Sequence, residues 1–344
     1  MTLARPPRLL LGVAAATAVL LAVACGSSGS PASTSKSTSA TSPSAATAAD
    51  AKPEKTHISV GTLPIADAAD LFIAIDKGYF RKAGLTVTPE IIQATSQTTP
   101  DLVSGKMDFS LLNYVSTLEI EQNSGIKFKY VAPGTVAAAN VSEILVPKGS
   151  PIKSLSDLKG KKIGSPQTTG AIGNLAVDVL LKAHGIDPKD VTFVATPFPD
   201  EMTALARHQV DAVWSTEPFV TVIKKSLGAQ ALADTMTGRM SGFLVGGWGT
   251  LASYAQKYPK TVTAFQKAMN QAQQVAASDH GLVVQTVPTY TSTKVGIASI
   301  MSFDTFPATL DATQLQGAAN LMLQYGFLHQ KLDVSPMLQA GPAS

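Results

Sequence analysis

The sequence predicts an α/β chain of two lobes, each a mainly parallel sheet flanked by helices, with two crossings between them. Three observations predict it. From His57 to Val146, short apolar runs alternate with segments whose apolar residues recur at helical spacing, the pattern of a parallel sheet covered on both faces. The alternation starts afresh near Lys153 and continues to Leu227. From about Phe243 the chain becomes mostly helical with no third sheet, so these helices are expected to return to the first unit.

The elements follow in order. Ile58 to Leu63 reads as a strand, and Ala68, Leu71, Phe72, Ile75 and Tyr79 mark one helical face. Leu85 to Ile92 is the next strand, and a helix opens at Thr99-Pro100 and ends at Gly105. Met107 to Leu112 is a strand, Val115 to Ser124 a helix stopped by Gly125, and Phe128–Val131 and Ile144–Val146 are strands. The second unit repeats the plan. Lys162–Gly164, Val191–Ala195 and Ala212–Trp214 are its strands. Its helices are Ala171–Ala183, Glu201–His208 and Phe219–Leu227. Long helices follow through Val262–Ala276 and Leu315–Met322, the latter stopped by Gly326. The expected division is residues 57–147 plus 247–344 for lobe 1 and 148–246 for lobe 2.

The N-terminal region reads differently. Met1 to Arg8 carry only positive charge, Leu9 to Ala24 are apolar and uncharged, and Ala22 and Ala24 precede Cys25. A charged start, an apolar stretch too short for the roughly 20 residues of a membrane span, and a small-residue site describe a signal peptide over residues 1–24. Cys25 is the single cysteine, which excludes an internal disulfide. The run from Leu21 to Cys25 resembles a bacterial lipobox, whose cysteine is acylated and becomes the mature N-terminus. Ala22 stands where that motif usually has Leu. Gly26 to Ala49 is nearly all Ser, Ala, Thr, Pro and Gly, so residues 25–56 are expected to form a flexible tether to a lipid anchor on the extracytoplasmic face of the cell membrane.

The formal charge is +3, and removing Arg5 and Arg8 leaves +1 on the rest. So balanced a chain has no electrostatic footprint for nucleic acid. No G-x-S-x-G elbow and no P-loop occurs. Gly246-Gly247-Trp248-Gly249 lacks the third glycine of a dinucleotide fingerprint and reads as a tight turn near a crossing. His57, His184, His208, His280 and His329 show no metal-binding spacing. The expectation is a binding protein with no catalytic residue, no metal and no cofactor.

Residues 61–80 (GTLPIADAADLFIAIDKGYF), 154–164 (SLSDLKGKKIG), 197–205 (PFPDEMTAL) and 210–219 (VDAVWSTEPF) occur in this order. Through them the chain resembles bacterial solute-binding proteins of the nitrate, sulfonate and taurine class, with pyrimidine-precursor binders in the same superfamily. The resemblance implies a periplasmic-binding-protein-like fold of type II. It also implies a small-molecule ligand in a cleft between the lobes, closure around it, and docking on ABC permease subunits, with the receptor a monomer. The pyrimidine synthases that resemble these binders carry a cysteine-rich motif in the folded part, which this chain lacks. A ligand-sensing lipoprotein is the other alternative.

Ligands of open α/β sheets bind beyond the carboxyl ends of the strands. That rule nominates Pro64 and Asp67 after the first strand, Gln93 and Ser96 after the second, and Asn113 and Tyr114 after the third. In the second unit it nominates Thr168, Thr169 and Gly170. The two threonines either cap the helix that follows or bind a polar or anionic group at its start, and the resemblance implies ligand contact. Phe198, Trp214 and Glu217 complete the set. Trp214 would stack on a flat ligand or pack in the core, and Glu217 would accept from a ligand amine or cap its helix. With no Arg fork in evidence, the loops suit a small organic solute, sulfonate- or taurine-like or another small polar or anionic compound, better than nitrate.

Overall fold

The computed structural model describes residues 52–93 and 95–341. Cys25, the expected signal peptide and the tether up to residue 51 lie outside the described residues. The strands are β1 (His57–Thr62), β2 (Thr86–Ile91), β3 (Phe109–Asn113), β4 (Phe128–Val136), β5 (Ser142–Val146), β6 (Lys162–Ser165), β7 (Thr192–Ala195), β8 (Ala212–Thr216), β9 (Gln230–Asp234) and β10 (Leu244–Leu251). The helices are α1 (Ala69–Asp76), α2 (Tyr79–Lys82), α3 (Thr98–Ser104), α4 (Tyr114–Ser124), α5 (Ile172–Ala183), α6 (Phe198–Ala206), α7 (Phe219–Leu227), α8 (Ala252–Lys257), α9 (Pro259–Ser278), α10 (His280–Tyr290), α11 (Val295–Ala298) and α12 (Ala312–Tyr325).

Two five-stranded sheets result, in the orders β2-β1-β3-β10-β4 and β7-β6-β8-β5-β9. The two-lobed α/β organisation stands: in each sheet four of the five strands point the same way and one reversed strand makes the sheet mixed. Three strands of each sheet pair in parallel, the edge strand β4 or β9 points the same way, and β10 in one sheet and β5 in the other run against both neighbours. The reason is the connectivity: each of these strands is the one a crossing delivers, so it enters its sheet from the end where the parallel strands finish. Strand β9, at the edge of its sheet, is not announced by the sequence.

The chain passes between sheets at residues 137–141 and 235–243. The expected division after residue 147 lies beyond β5, which belongs to the second sheet. The two passages are tied together, since Ala137 N donates to Phe243 O at 2.8 Å. Order also begins earlier than His57: the Glu54 carboxylate accepts from Lys260 N at 3.1 Å and Thr261 N at 2.9 Å. It thereby caps the first turn of α9, where backbone N–H groups lack intrahelical partners.

The first core lies between β1, β3 and α9, where Phe109 stacks on Phe265 with centroids 4.1 Å apart. Each such fully buried ring contributes roughly 1.5–3 kcal/mol. Gly246–Gly249 lies inside β10, not in a turn. A Cβ at Gly247 would collide with the Tyr114 hydroxyl, so the glycines admit the aromatic side chains packed under the strand. A second apolar cluster joins the sheets. It runs from Leu112 and Leu118 through Leu315 and Met322 of α12 to Leu175 and Trp214, so α12 packs against both α4 and α5. Helix α9 packs on α1, α2 and β4 beside the first sheet, while α12 also braces the second. Among the described residues no helix is long and apolar enough to cross a membrane.

Candidate functional site

A cavity lies between the two sheets, lined from both. The first lobe contributes Leu63, Ile65 and Asp67 after β1, Leu111 and Asn113 at the end of β3, Ser116 of α4, and Val245 and Gly246 at the start of β10. The second contributes Ser142, Pro166, Ala171, Ile172, Phe198, Trp214, Thr216 and Met236. The parallel strands present their carboxyl ends, as the topological rule requires. The two reversed strands present their amino ends, Ser142 of β5 and Val245–Gly246 of β10.

The walls are largely apolar and aromatic, with a few fixed polar groups. Trp214 is buried, and its Nε1 donates to Thr235 Oγ1 at 2.9 Å. Helix α5 comes close to the indole because Gly173 has no side chain, and a Cβ there would collide with the ring. Phe198 lies 6.2 Å from Trp214 and stacks on Phe219 at 5.5 Å. Asn113 caps α4 by accepting from Ser116 N at 3.2 Å. Ser142 Oγ donates to Thr216 Oγ1 at 3.0 Å.

Asp67 is the single ionisable side chain among the described lining residues; no Lys, Arg or His joins it. It is 4% exposed, and burial pushes its carboxyl up to about 6, with the neighbouring Thr135 hydroxyl pulling the other way. One turn on, Asp70 has a different setting. It accepts from Leu71 N at 2.8 Å, Trp248 Nε1 at 2.7 Å and Gln273 Nε2 at 2.9 Å. Burial nevertheless raises it to about 8. Asp70 ties three elements together, whereas Asp67 faces the cavity.

Of the residues nominated from sequence, Asp67, Asn113, Phe198 and Trp214 come together on this cavity. Thr168, Thr169 and Gly170 line a separate, more open cavity with Glu119, Asp178 and Tyr325. They begin no helix: α5 starts at Ile172, and Asn174 Oδ1 accepts from Ala171 N. Tyr114 is buried against Tyr130 with ring centroids 4.5 Å apart. Glu217 accepts from Thr221 N at 3.1 Å and Thr221 Oγ1 at 2.6 Å, which is the capping role. Gln93 and Ser96 are exposed and Pro64 is half-buried, all three outside the cavity lining. Two large side chains near the second crossing lie outside the lining. Arg239 donates to Gln324 Oε1 at 2.9 Å, and Trp248 is a core residue.

Ser116, Ser142, Thr216 and Met236 were not nominated. Ser142 and Met236 depend on the reversed β5 and the unannounced β9, so a rule that counts strand carboxyl ends misses them. Ser116 follows Asn113 by three residues, the spacing at which a cap meets its helix, and that spacing was the available signal. No group of three or more His, Cys, Asp or Glu among the described residues is placed to hold a metal ion.

The model of the NMT1/THI5-like family matches residues 65–280, and the chain belongs to that family. It is 25% identical over 238 residues to the nitrate import ATP-binding protein NrtC of Synechocystis sp., covering 64% of this chain. It is 33% identical over 127 residues to a 4-amino-5-hydroxymethyl-2-methylpyrimidine phosphate synthase of Saccharomyces cerevisiae, covering 36% of this chain. The matches span 35% of the length of each of these two relatives. Among solved structures it is similar to the alkanesulfonate-binding protein SsuA from Xanthomonas axonopodis pv. citri bound to MOPS. The TM-score is 0.70 at 21% identity, covering 83% of this chain and 99% of that one, a likeness of fold.

Proposed function

We propose that this member of the NMT1/THI5-like family is the extracytoplasmic solute-binding component of an ABC importer. The observation that carries the reading is the cavity itself: apolar walls from two lobes, aromatic side chains and a few oriented polar groups, the composition of a small-molecule site. Its place between two lobes joined by two passages suits closure by a hinge, in which the ligand shifts an open–closed balance by its preference for the closed form. The family relationship and the fold shared with a sulfonate-binding protein support this.

Binding rather than turnover is the reading the lining favours. Among its described residues there is no cysteine, histidine or lysine to act as nucleophile or base. The single cysteine of the chain is Cys25, before the folded part. The ligand is a small organic solute, and the proposed contacts are Asp67, Asn113, Phe198 and Trp214, with Ser116, Ser142 and Thr216 added by the structure. Cys25, with its lipobox-like context and tether, is the proposed membrane anchor. Cys25→Ser should move the exported chain from the membrane fraction to the soluble one.

A thermal-shift screen of the full chain against small sulfonates, amines and heterocycles tests the receptor reading. A ligand at a hundredfold excess over its dissociation constant adds about 2.7 kcal/mol of stability. Turnover of such a solute by the purified protein would replace the receptor reading with an enzymatic one.

A further inference from the structure

The more open cavity also lies on the seam between the lobes. Glu119 of α4 comes from the first lobe, Gly170 and Asp178 come from the second, and the end of α12 closes it at Tyr325. There the loop before α5 rests directly on the Glu119 carboxyl. A Cβ at Gly170 would collide with Glu119 Oε2, and Gly170 lies in the left-handed region at φ +67°, so glycine is what brings the loop backbone this close. One turn earlier on α4, Ser116 Oγ donates to the carbonyl oxygen of the same glycine at 2.6 Å. Glu119 Oε2 is buried and has no hydrogen-bond partner among the described residues. Its burial depends on the lobes being together, because withdrawal of the loop would return the oxygen to water. A buried carboxylate oxygen without a donor is costly. Burial accordingly raises the Glu119 carboxyl above its ordinary value, with His329 beyond α12 pulling the other way.

We propose that Glu119 makes the closing of the two lobes proton-linked: the Gly170 loop seats on the protonated acid and is driven off by the carboxylate. The inference rests on the hinged-receptor reading above and adds a control to it. The charged groups of the neighbouring elements do not supply the missing partner. Asp178 and Lys189 line the cavity from the second lobe. Lys182 of α5 sits over the Tyr325 ring at 4.7 Å, and on α4 itself Glu121 pairs with Lys127 at 3.1 Å. Strands β3 and β10, which also pack on α4, carry no ionisable residue. Among the described residues no cation forms an ion pair with Glu119. Protonation removes the charge and gives the acid an O–H that can donate to a backbone carbonyl of the loop. The joined lobes therefore hold the proton more firmly than the parted ones, and joining takes one up. The joined share grows as pH falls through the raised value and levels off below the ordinary 4.5. By the same linkage, such a receptor holds its solute more firmly in acid surroundings than in alkaline ones.

The gap between the lobes is the direct readout. Spin labels at Gln93→Cys and Asp200→Cys, two exposed residues beyond the edge strands β2 and β7, report it by pulsed dipolar spectroscopy in a full chain carrying Cys25→Ser. No ligand is added, and pH runs from about 8 to about 5. With Glu119 in place, the ratio of short to long distances should rise about threefold or more on acidification. Asp178→Asn should keep this rise, since its carboxyl belongs to the second lobe alone. Glu119→Gln should hold the high ratio at every pH. Glu119→Ala, which also removes the titrating oxygen, should lose the pH dependence likewise and serves if the amide variant does not fold. Two distances whose ratio ignores pH with Glu119 in place, or moves as much without it, overturn the inference and leave the hinged receptor standing. A single distance at every pH in every variant, Ser116→Ala included, overturns the hinge as well.

Discussion

The Ser116 hydroxyl, on α4 of the first lobe, donates to the carbonyl oxygen of Gly170 in the second at 2.6 Å. A second link joins the lobes nearby, where Ala66 N donates to Glu217 O at 3.0 Å. These bonds hold loops beside the cavity against each other, and on the proposed hinge they would act as polar latches alongside the apolar cluster through α12.

Ser116→Ala removes one latch and no core contact. A net hydrogen bond is worth about 1 kcal/mol, so affinity for the solute found by screening should fall about fivefold while the unfolding midpoint of the ligand-free chain changes little. Titration calorimetry on wild type and variant reads this, and an unchanged dissociation constant would show that the bond contributes nothing to closure.

Gly173→Ala puts a methyl group where the Trp214 ring lies. The indole must shift away from Thr235 or α5 must back off, at a cost of about 1–3 kcal/mol. Urea denaturation and the Trp emission spectrum should both change, with Trp214→Phe identifying which of the two tryptophans reports. A variant as stable as wild type with the same emission would contradict the close approach.

Asp70→Ala should be much worse than Asp67→Ala for stability. The first leaves Trp248 Nε1 and Gln273 Nε2 buried without their carboxylate acceptor, a loss of about 2–3 kcal/mol. The second removes a carboxyl whose main neighbour is the cavity. Denaturant midpoints of the two variants, compared at neutral pH, decide the order.

Burial raises Asp67 to about 6 from an ordinary 3.8. The folded chain therefore keeps a proton that the unfolded chain has released, and this group's contribution to stability falls as pH rises through that window. Asp67→Asn holds the neutral shape throughout. In the ligand-free protein it should match wild type near pH 4 and become more stable above pH 6, by on the order of 2–3 kcal/mol at most. Melting curves at both pH values test it, and a variant equally destabilised at both would show that the carboxyl is a structural acceptor. The gain in stability with loss of binding is the usual signature of a strained functional group.

Much of the fold is legible along the chain because the responsible forces act locally. Leu227 followed by Gly228, and Ser124 followed by Gly125, end α7 and α4 where expected, since each glycine adopts the left-handed conformation a helix C-terminus favours. The paired units and the absence of cysteine from the folded part are likewise visible in pattern and composition. The cavity is only partly legible. Asp67, Asn113, Phe198 and Trp214 follow or end parallel strands, which the alternation of strand and helix locates. Glu217 satisfies itself four residues along, on Thr221, a choice between capping and ligand contact that residue type alone leaves open.

Sequence by itself determined two α/β units, their order along the chain and the kind of loop that could meet a solute. Tertiary structure decided that β5 and β10 run backwards, bringing Ser142, Val245 and Gly246 to the cavity, and that Asp67 lines that cavity while Asp70 accepts from Trp248 and Gln273. The physical reason is range. Helix periodicity and capping depend on residues a few positions apart, whereas strand direction and the partner of a buried charge depend on groups such as Asp70 and Trp248, which lie 178 positions apart in the chain.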